Sequence, residues 1–400
     1  MRRCHGQVTG VSVVLAAVLS WAVAGCTSDE VLGLPTAKKE NVSVFTSEDE
    51  LFEATGTDLV RPEFVLATRD GFLVLFDGIS RSLVLLDGEG RASLLTDQAE
   101  LETVAGSSPV ILDSLDEIRS GSLEGEFVGA DTVSGLVLRI ALDGTAEVHA
   151  DETQMTAATG FSRARASLPR WLNNRQIIAQ ELESGDILLF DDLGNARVFV
   201  DSGVFADAAG LFPGDADAAG WVRGAGTGSQ YAWFGETNHI VRVQLGGATD
   251  RFVDGELFFD LFPDFLEPRV LKITAVNSAV DILFVLVGDG PRGAVVARIA
   301  TGPHVISVFT SEDDFLDLLG PAYDLSDLGV VDGETLYGVD AGTAQVLLFA
   351  TEGLPEVIGE RESIEDASGS LSPRLSVSAA LDPLGPVVFE ADSLRHLLVE

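Results

Sequence analysis

"VFTSEDELFEATG" at residues 44–56 returns, little altered, as "VFTSEDDFLDLLG" at residues 308–320. Looser versions lie between and after them: "ASLLTDQAELETVAG" (92–106), "AEVHADETQMTAATG" (146–160), "ARVFVDSGVFADAAG" (196–210), "DRFVDGELFFDLFP" (250–263) and "PEVIGERESIEDASG" (355–369). Each opens on an apolar, strand-like run, passes through a polar turn, and continues into a short helix-like stretch. Ser47, Asp97, Asp151 and Ser311 are placed to cap those helices, because a short side-chain oxygen there accepts an orphan backbone N–H. Glycine closes all copies but the fifth, as suits a left-handed helix C-terminus. Gly56, Gly106, Gly160, Gly210, Gly320 and Gly369 recur about every 50 residues, with one double interval where the fifth copy lacks its glycine. A period of that length without long helices predicts a propeller or a similar repeat fold.

Upstream of each phrase lie strand pairs joined by tight turns, such as "SLVLLDGEGRASLL" (82–95) and "LVLRIALDGTAEVHA" (136–150). Asp-Gly between short β-rich runs is a strong hairpin signal. Further runs precede these, for example "FVLATRDGFLVLFDG" (64–78), so that each period supplies the four strands of a blade. Only 31 residues follow Gly369, enough for three strands, whereas the first phrase is a fourth strand with no blade before it. The expectation is an all-β, seven-bladed propeller of four-stranded blades, closed when the N-terminal strand completes the last blade, with short helical turns between blades. Closure of this kind pairs two strand edges that would otherwise invite aggregation. Residues 211–305 diverge most, and a different split there would give six or eight blades.

The N-terminus begins with Arg2 and Arg3 and continues into an apolar stretch from about Val11 to Val23, the layout of an export signal. It closes in "VAGC", Val23-Ala24-Gly25-Cys26, which resembles the lipobox of bacterial lipoproteins. That resemblance implies a signal peptide at 1–25, acylation of Cys26, and anchoring in the cell envelope through the membrane. Several acyl chains on one cysteine anchor stably, each buried methylene contributing about 0.8 kcal/mol. Thr27 follows the cysteine rather than aspartate, which, if the cell is Gram-negative, resembles lipoproteins sent onward to the outer membrane. Residues 26–41 then read as the lipidated terminus and flexible tether, and 42–400 as the propeller. Cys4 leaves with the signal, so the remaining cysteine can form neither a disulfide nor a cysteine-based metal site within the chain.

The formal charge is −38, from 63 acidic and 25 basic residues, and the mean hydropathy is +0.26. Repulsion from phosphates excludes nucleic acid as a partner, since the counterion-release gain is absent. The apolar content suffices for a large core, leaving the acids to a solvated surface; divalent-cation binding is the sharper reading of the same acidity. Only three lysines occur, Lys38, Lys39 and Lys272.

"LYGVDAGTAQVLLFATEG" (336–353) and "GETNHIVRVQLGG" (235–247) resemble blades of NHL-type and of senescence-marker/gluconolactonase-like propellers, with Glu236-Thr237-Asn238-His239-Ile240 nearest to their turn motif. The second resemblance implies a divalent ion, calcium being suited to carboxylate and carbonyl oxygens, held in the central channel of a lactone or ester hydrolase. Those ligands come singly from different blades, so no local motif assigns them. Elsewhere catalytic signals are weak. His149, His239, His304 and His396 lack metal-ligand spacing, and no H-E-x-x-H or G-x-S-x-G occurs. "GAGTGS" (224–229) reads as a hairpin turn, not a nucleotide loop.

One stretch stands apart: "FSRARASLPRWLNNR" (161–175) carries Arg163, Arg165, Arg170 and Arg175 around Trp171. It is a candidate binding rim, with guanidinium forks for carboxylates and an aromatic face; the plainer reading is that these arginines neutralise acidic turns of adjacent blades. Trp221 and Trp233, in the next blade, either join the same face or fill the core between blades, the core being the plainer reading. The sequence favours a non-catalytic, envelope-anchored module presenting the ring to a protein or glycan. The alternative is the metal-dependent hydrolase, and a scaffold role in an outer-membrane assembly is a third reading.

Overall fold

The computed structural model describes residues 42–57, 60–173, 176–224, 226–276, 282–289, 294–300, 305–331, 335–350, 353–381, 384–391 and 393–399. Cys26 and the tether, Arg175 and His304 lie outside the described residues. The described part forms seven antiparallel four-stranded sheets, a seven-bladed β-propeller. Blades one to six occupy residues 62–96, 112–150, 166–200, 220–253, 269–310 and 325–359. Blade seven takes three strands from residues 375–399 and its outermost strand from Val42–Thr46. Val42 pairs with Val399, Ser43 with Leu398 and Val44 with Leu397, so the first strand closes the ring as its isolated phrase predicts. The divergent stretch that begins at residue 211 enters blades four and five, each of four strands. The first, innermost strands touch one another in succession around the ring, and that of blade seven (Leu375–Leu381) meets that of blade one (Pro62–Ala67).

The repeated phrase stitches neighbouring blades together. Its strand is the outer strand of a blade, and its helix follows at the blade edge: Glu48–Thr55 after Val42–Thr46, and Glu312–Leu319 after Val305–Thr310. Ser47 accepts from the Glu50 amide while the Glu50 carboxylate accepts from the Ser47 amide, and Ser311 and Asp314 do the same, which satisfies orphan N–H groups reciprocally. The threonine of the phrase faces the next blade: Thr46 Oγ1 donates to the Gly90 carbonyl at 2.7 Å, and Thr310 Oγ1 to that of Gly353 at 2.6 Å. Both glycines sit in hairpin turns with positive φ, 81° and 87°. A Cβ on either would lie within 2 Å of the carbonyl oxygen of Phe45 or Phe309, the residue before that threonine. Strand, threonine, cap and facing glycine therefore form one recurring contact.

Seven apolar clusters make up the core, and each draws residues from two adjacent blades. The helix residues Leu51, Leu101, Met155, Phe205, Phe258, Phe315 and Ile364 are all buried, so each helix plugs the rim of one such interface. Burial of a side chain of this size stabilises by about 1.5–3 kcal/mol. The core is thus a ring of interfaces, and its stability depends on keeping the ring closed.

Not every acid stays on the surface. Asp77, Asp131, Glu181, Asp340 and Glu390 end the second strands of five blades and are fully buried. Each accepts the backbone N–H at the start of its blade's first strand, from Arg61, Ile111, Arg165, Asp324 and Arg374 respectively. Each also ties down the turn that follows, through the amide three residues on: Ser80, Ser134, Ser184, Thr343 or Ser393. The sequence shows this as acid-x-x-Ser/Thr, "DGIS", "DTVS", "ELES", "DAGT" and "EADS". Burial pushes the Asp131 carboxyl up, but the bonds from Ser134, Ile111 and Ser107 outweigh it and leave the pKa below the ordinary value.

Candidate functional site: the central channel

Six of the seven inner strands carry a register shift near their start. The shifts fall between Pro62 and Phe64, Leu112 and Leu115, Ser167 and Arg170, Val270 and Lys272, Leu325 and Asp327, and Leu375 and Ser378. A bulge inserts an unpaired residue and re-aims the side chains beyond it. The residue just after each shift, Phe64, Leu115, Arg170, Lys272, Asp327 or Ser378, lines the central channel. Blade four adds Trp221 and Arg223 from an unbulged strand (Gly220–Arg223). The cavity they enclose measures about 580 Å³.

Its carboxylates are committed to the protein. Asp113 accepts from the Leu168 amide and the Ser167 hydroxyl, both at 2.8 Å, and from Ser114 at 3.1 Å. Those bonds hold the bulge of blade three, where Leu168 takes a φ of 50°. Burial raises the Asp113 pKa against these bonds and the nearby Arg170 charge. Asp116 accepts from the amides of Trp171 at 2.9 Å and Glu117 at 3.0 Å. Asp327 is bonded to Lys272 Nζ, to the Ser378 hydroxyl and to the Leu328 amide. Ser378 in turn meets the Tyr337 hydroxyl at 3.1 Å, linking blades five, six and seven. Burial, with the Asp327 charge beside it, pushes the Tyr337 phenol up.

The cations differ. Among the described residues Arg170 Nη1 donates to the carbonyls of Pro169 at 3.2 Å and Leu115 at 3.4 Å, and its charge acts on Asp113. The Arg223 guanidinium lies over the Trp171 ring, 3.9 Å from its centroid. Trp171 and Trp221 are almost fully buried, Trp221 stacked on Phe205 at 5.6 Å, and Trp233 lies across Gly220 at the wall.

The structure divides the arginine-rich stretch. Arg170 and Trp171 line the channel. Arg165 stands at the blade edge, bridged to Glu183 at 2.9 Å, and Arg163 is in an exposed turn whose amide bonds Glu152. One face of the Trp171 ring is covered by Arg223. Sequence reasoning missed Arg223, Asp113, Asp116 and the Lys272–Asp327 pair; the one available signal was that Lys272 is the sole lysine of 42–400.

A divalent cation does not fit this set. Among the described residues no group of three or more His, Cys, Asp and Glu side chains is placed to hold a metal. The channel acids point at amides, hydroxyls and Lys272 instead. Of the histidines, His149 and His396 are buried in blades two and seven, and burial lowers their pKa to about 4 and about 3. His239 accepts the Gly255 amide at 3.0 Å.

The sequence matches no family model and no curated protein. Solved structures share the fold of the chain. Virginiamycin B lyase from Staphylococcus aureus is 13% identical, the match covering 86% of this chain and 96% of the lyase with a TM-score of 0.58. YCF48 from Cyanidioschyzon merolae is 12% identical, covering 85% and 95% with a TM-score of 0.59. These likenesses show the fold. This chain is a β-propeller. A gluconolactonase from Xanthomonas campestris, 13% identical over 85% of this chain and 99% of that one, superposes with a TM-score of only 0.40, too low to argue from. At such identities the propeller's chemistry has to be read from its own channel.

Proposed function

We propose that this propeller is a non-catalytic binding module, lipid-anchored in the cell envelope through Cys26, whose ligand site is the central channel. The observation that carries the reading is the state of the channel's polar groups. Asp113, Asp116 and Asp327 already bond amides, hydroxyls or Lys272, which leaves no convergent carboxylates for metal-assisted hydrolysis among the described residues. What the lumen offers is a concave space with a few fixed cations and an apolar wall, the usual form of a ligand pocket. Binding by propellers of this shape has a parallel in YCF48, one structure of which holds a D1 peptide. The anchor is supported by the VAGC motif and the apolar stretch before it.

The test is a thermal-shift panel of peptides, glycans and anions, run beside lactone and ester substrates with and without calcium. Binding without turnover supports the module. A ligand in large excess over its Kd raises stability by about 3 kcal/mol at a hundredfold excess. Calcium-dependent turnover of a lactone or ester would overturn the reading.

A further inference from the structure

The fifth copy of the repeated phrase departs from the other six, and a cavity lies where it does so. Among the described residues, six helices of the repeat pack closely on the outer strand of the next blade, and Glu256–Leu261 is the exception. It has six residues where the others have eight, no side chain caps its start, and Phe262-Pro263 ends it in place of glycine. The Gly255 amide, donating to His239 Nδ1 at 3.0 Å, ties it to its own blade. Between the end of this helix and the outer strand of blade five (Val305–Thr310) is a cavity of about 190 Å³, walled by Leu261, Phe262, Pro263, Phe265, Val295 and Val308. That is room for one side chain, since small-molecule pockets run to about 300–1,000 Å³. The strand beside it is the edge of its sheet, so one row of its backbone N–H and C=O groups has no strand to pair with. Sheet edges are commonly blunted by charge, as Glu147, Arg197, Arg251 and Glu356 do on other outer strands. The edge of blade five, "VISVFT", carries no charge and is six residues long against five in every other blade. Val308, 42% exposed, belongs to both the edge and the cavity wall. The charged residues of that wall, Asp264, Glu312 and Asp313, are all acidic. Neither Glu312 nor Asp313 pairs with a cation among the described residues. The helix dipole accounts for acids in a first turn, as at Glu48 and Asp49; what blade five adds is the apolar cavity beside them. A second copy of the chain, at a formal charge of −38, would bring like charge to this rim.

We propose that the outer edge of blade five binds an extended, basic peptide segment, which adds a fifth strand along Val305–Thr310 and places one large apolar side chain in the cavity. The site shares no lining residue with the channel and does not depend on it. The probe is a fluorescein-labelled heptapeptide in which lysines alternate with valine, a central phenylalanine and valine. Fluorescence polarisation reads its binding to the full-length protein at about 0.15 M salt, which screens charges more than about 8 Å apart. Saturable binding is expected. Replacing the central phenylalanine by alanine, at unchanged charge, should weaken it at least tenfold, and glutamates in place of the lysines should abolish it. Of two versions N-methylated on alternate amides, one along each edge of the peptide, only one should bind, because strand addition uses a single edge. Val308→Lys should weaken binding at least tenfold, while Val148→Lys, at the equivalent position of blade two, leaves it unchanged. Glu312→Gln with Asp313→Asn leaves the strand intact and should weaken binding at least threefold, so the proposal stays testable even where Val308→Lys disturbs the blade. No saturation at millimolar peptide, equal binding of the alanine peptide, or binding of both N-methylated versions overturns the proposal. Unchanged affinity in the Val308 variant and in the double variant also overturns it. So does a protein dimer, seen by sedimentation, that Val308→Lys dissociates, since it assigns the edge to a second copy.

Discussion

His396 should make this ring sensitive to acid in a way one substitution removes. It lies on the third strand of blade seven (Arg395–Val399), 1% exposed, against Phe389 with ring centroids 5.0 Å apart. Neither ring nitrogen has a hydrogen-bond partner among the described residues, and burial alone lowers its pKa from 6.5 to about 3. Protonation is therefore far easier in the unfolded chain. The stability that the neutral imidazole contributes is fully present above pH 6.5 and is lost as the pH falls toward the folded value. Between those limits the loss is about 1.4 kcal/mol per pH unit, or about 2 kcal/mol on going from neutral pH to pH 5. His396→Leu removes the titration together with two unsatisfied polar atoms, whose burial is costly. The variant should be at least as stable as wild type at pH 7.5 and about 2 kcal/mol further ahead at pH 5. Urea unfolding of both proteins at a series of pH values measures this directly. Parallel stability curves between pH 7.5 and 5, with no widening gap, would refute the reasoning and place the imidazole in a more polar setting than the fold provides.

Other outcomes follow from the same geometry. Gly90→Ala meets both a φ of 81° and the Phe45 carbonyl, whereas Gly56→Ala meets the left-handed conformation with nothing within 4 Å. The second should cost about 1–2 kcal/mol and the first clearly more; equal melting temperatures would dismiss the glycine contact between blades. Lys272→Met strands the Asp327 carboxylate, and with the lysine 38% exposed the loss should be about 1–3 kcal/mol. Adding Asp327→Asn should restore part of it, and no recovery on thermal melting would count against the ion pair. Cys26→Ser should move the protein from the membrane fraction to the soluble one, as fractionation with mass spectrometry of the N-terminus will show.

Much of the ring was legible because its repeats are local. Caps at Ser47, Asp97, Asp151 and Ser311, the closing glycines and the hairpin turns are set by residues three or four apart, and all four caps form. The count of seven also came from the chain's linear order, since a lone fourth strand at residue 42 needs the three strands left over after Gly369. The reason for the threonine in the phrase was not legible, because its partner glycine lies 44 residues on, in the next blade.

The channel depended on tertiary structure for a more particular reason. Alternation along a strand predicts which residues face inward only while the register is unbroken. Six inner strands are bulged just before their channel residue, so Arg170, Lys272, Asp327 and Ser378 reach the lumen out of step with the strand that leads to them. Only closure of the ring then brings them together, setting Lys272 of blade five and Ser378 of blade seven on Asp327 of blade six, and Arg223 of blade four on Trp171 of blade three. The sequence by itself determined the blades, their number and the way the ring shuts, because those follow from short-range patterns repeated in order. Which charges face one another across the channel was decided by the bulges and the closed ring, which bring together residues more than 50 positions apart.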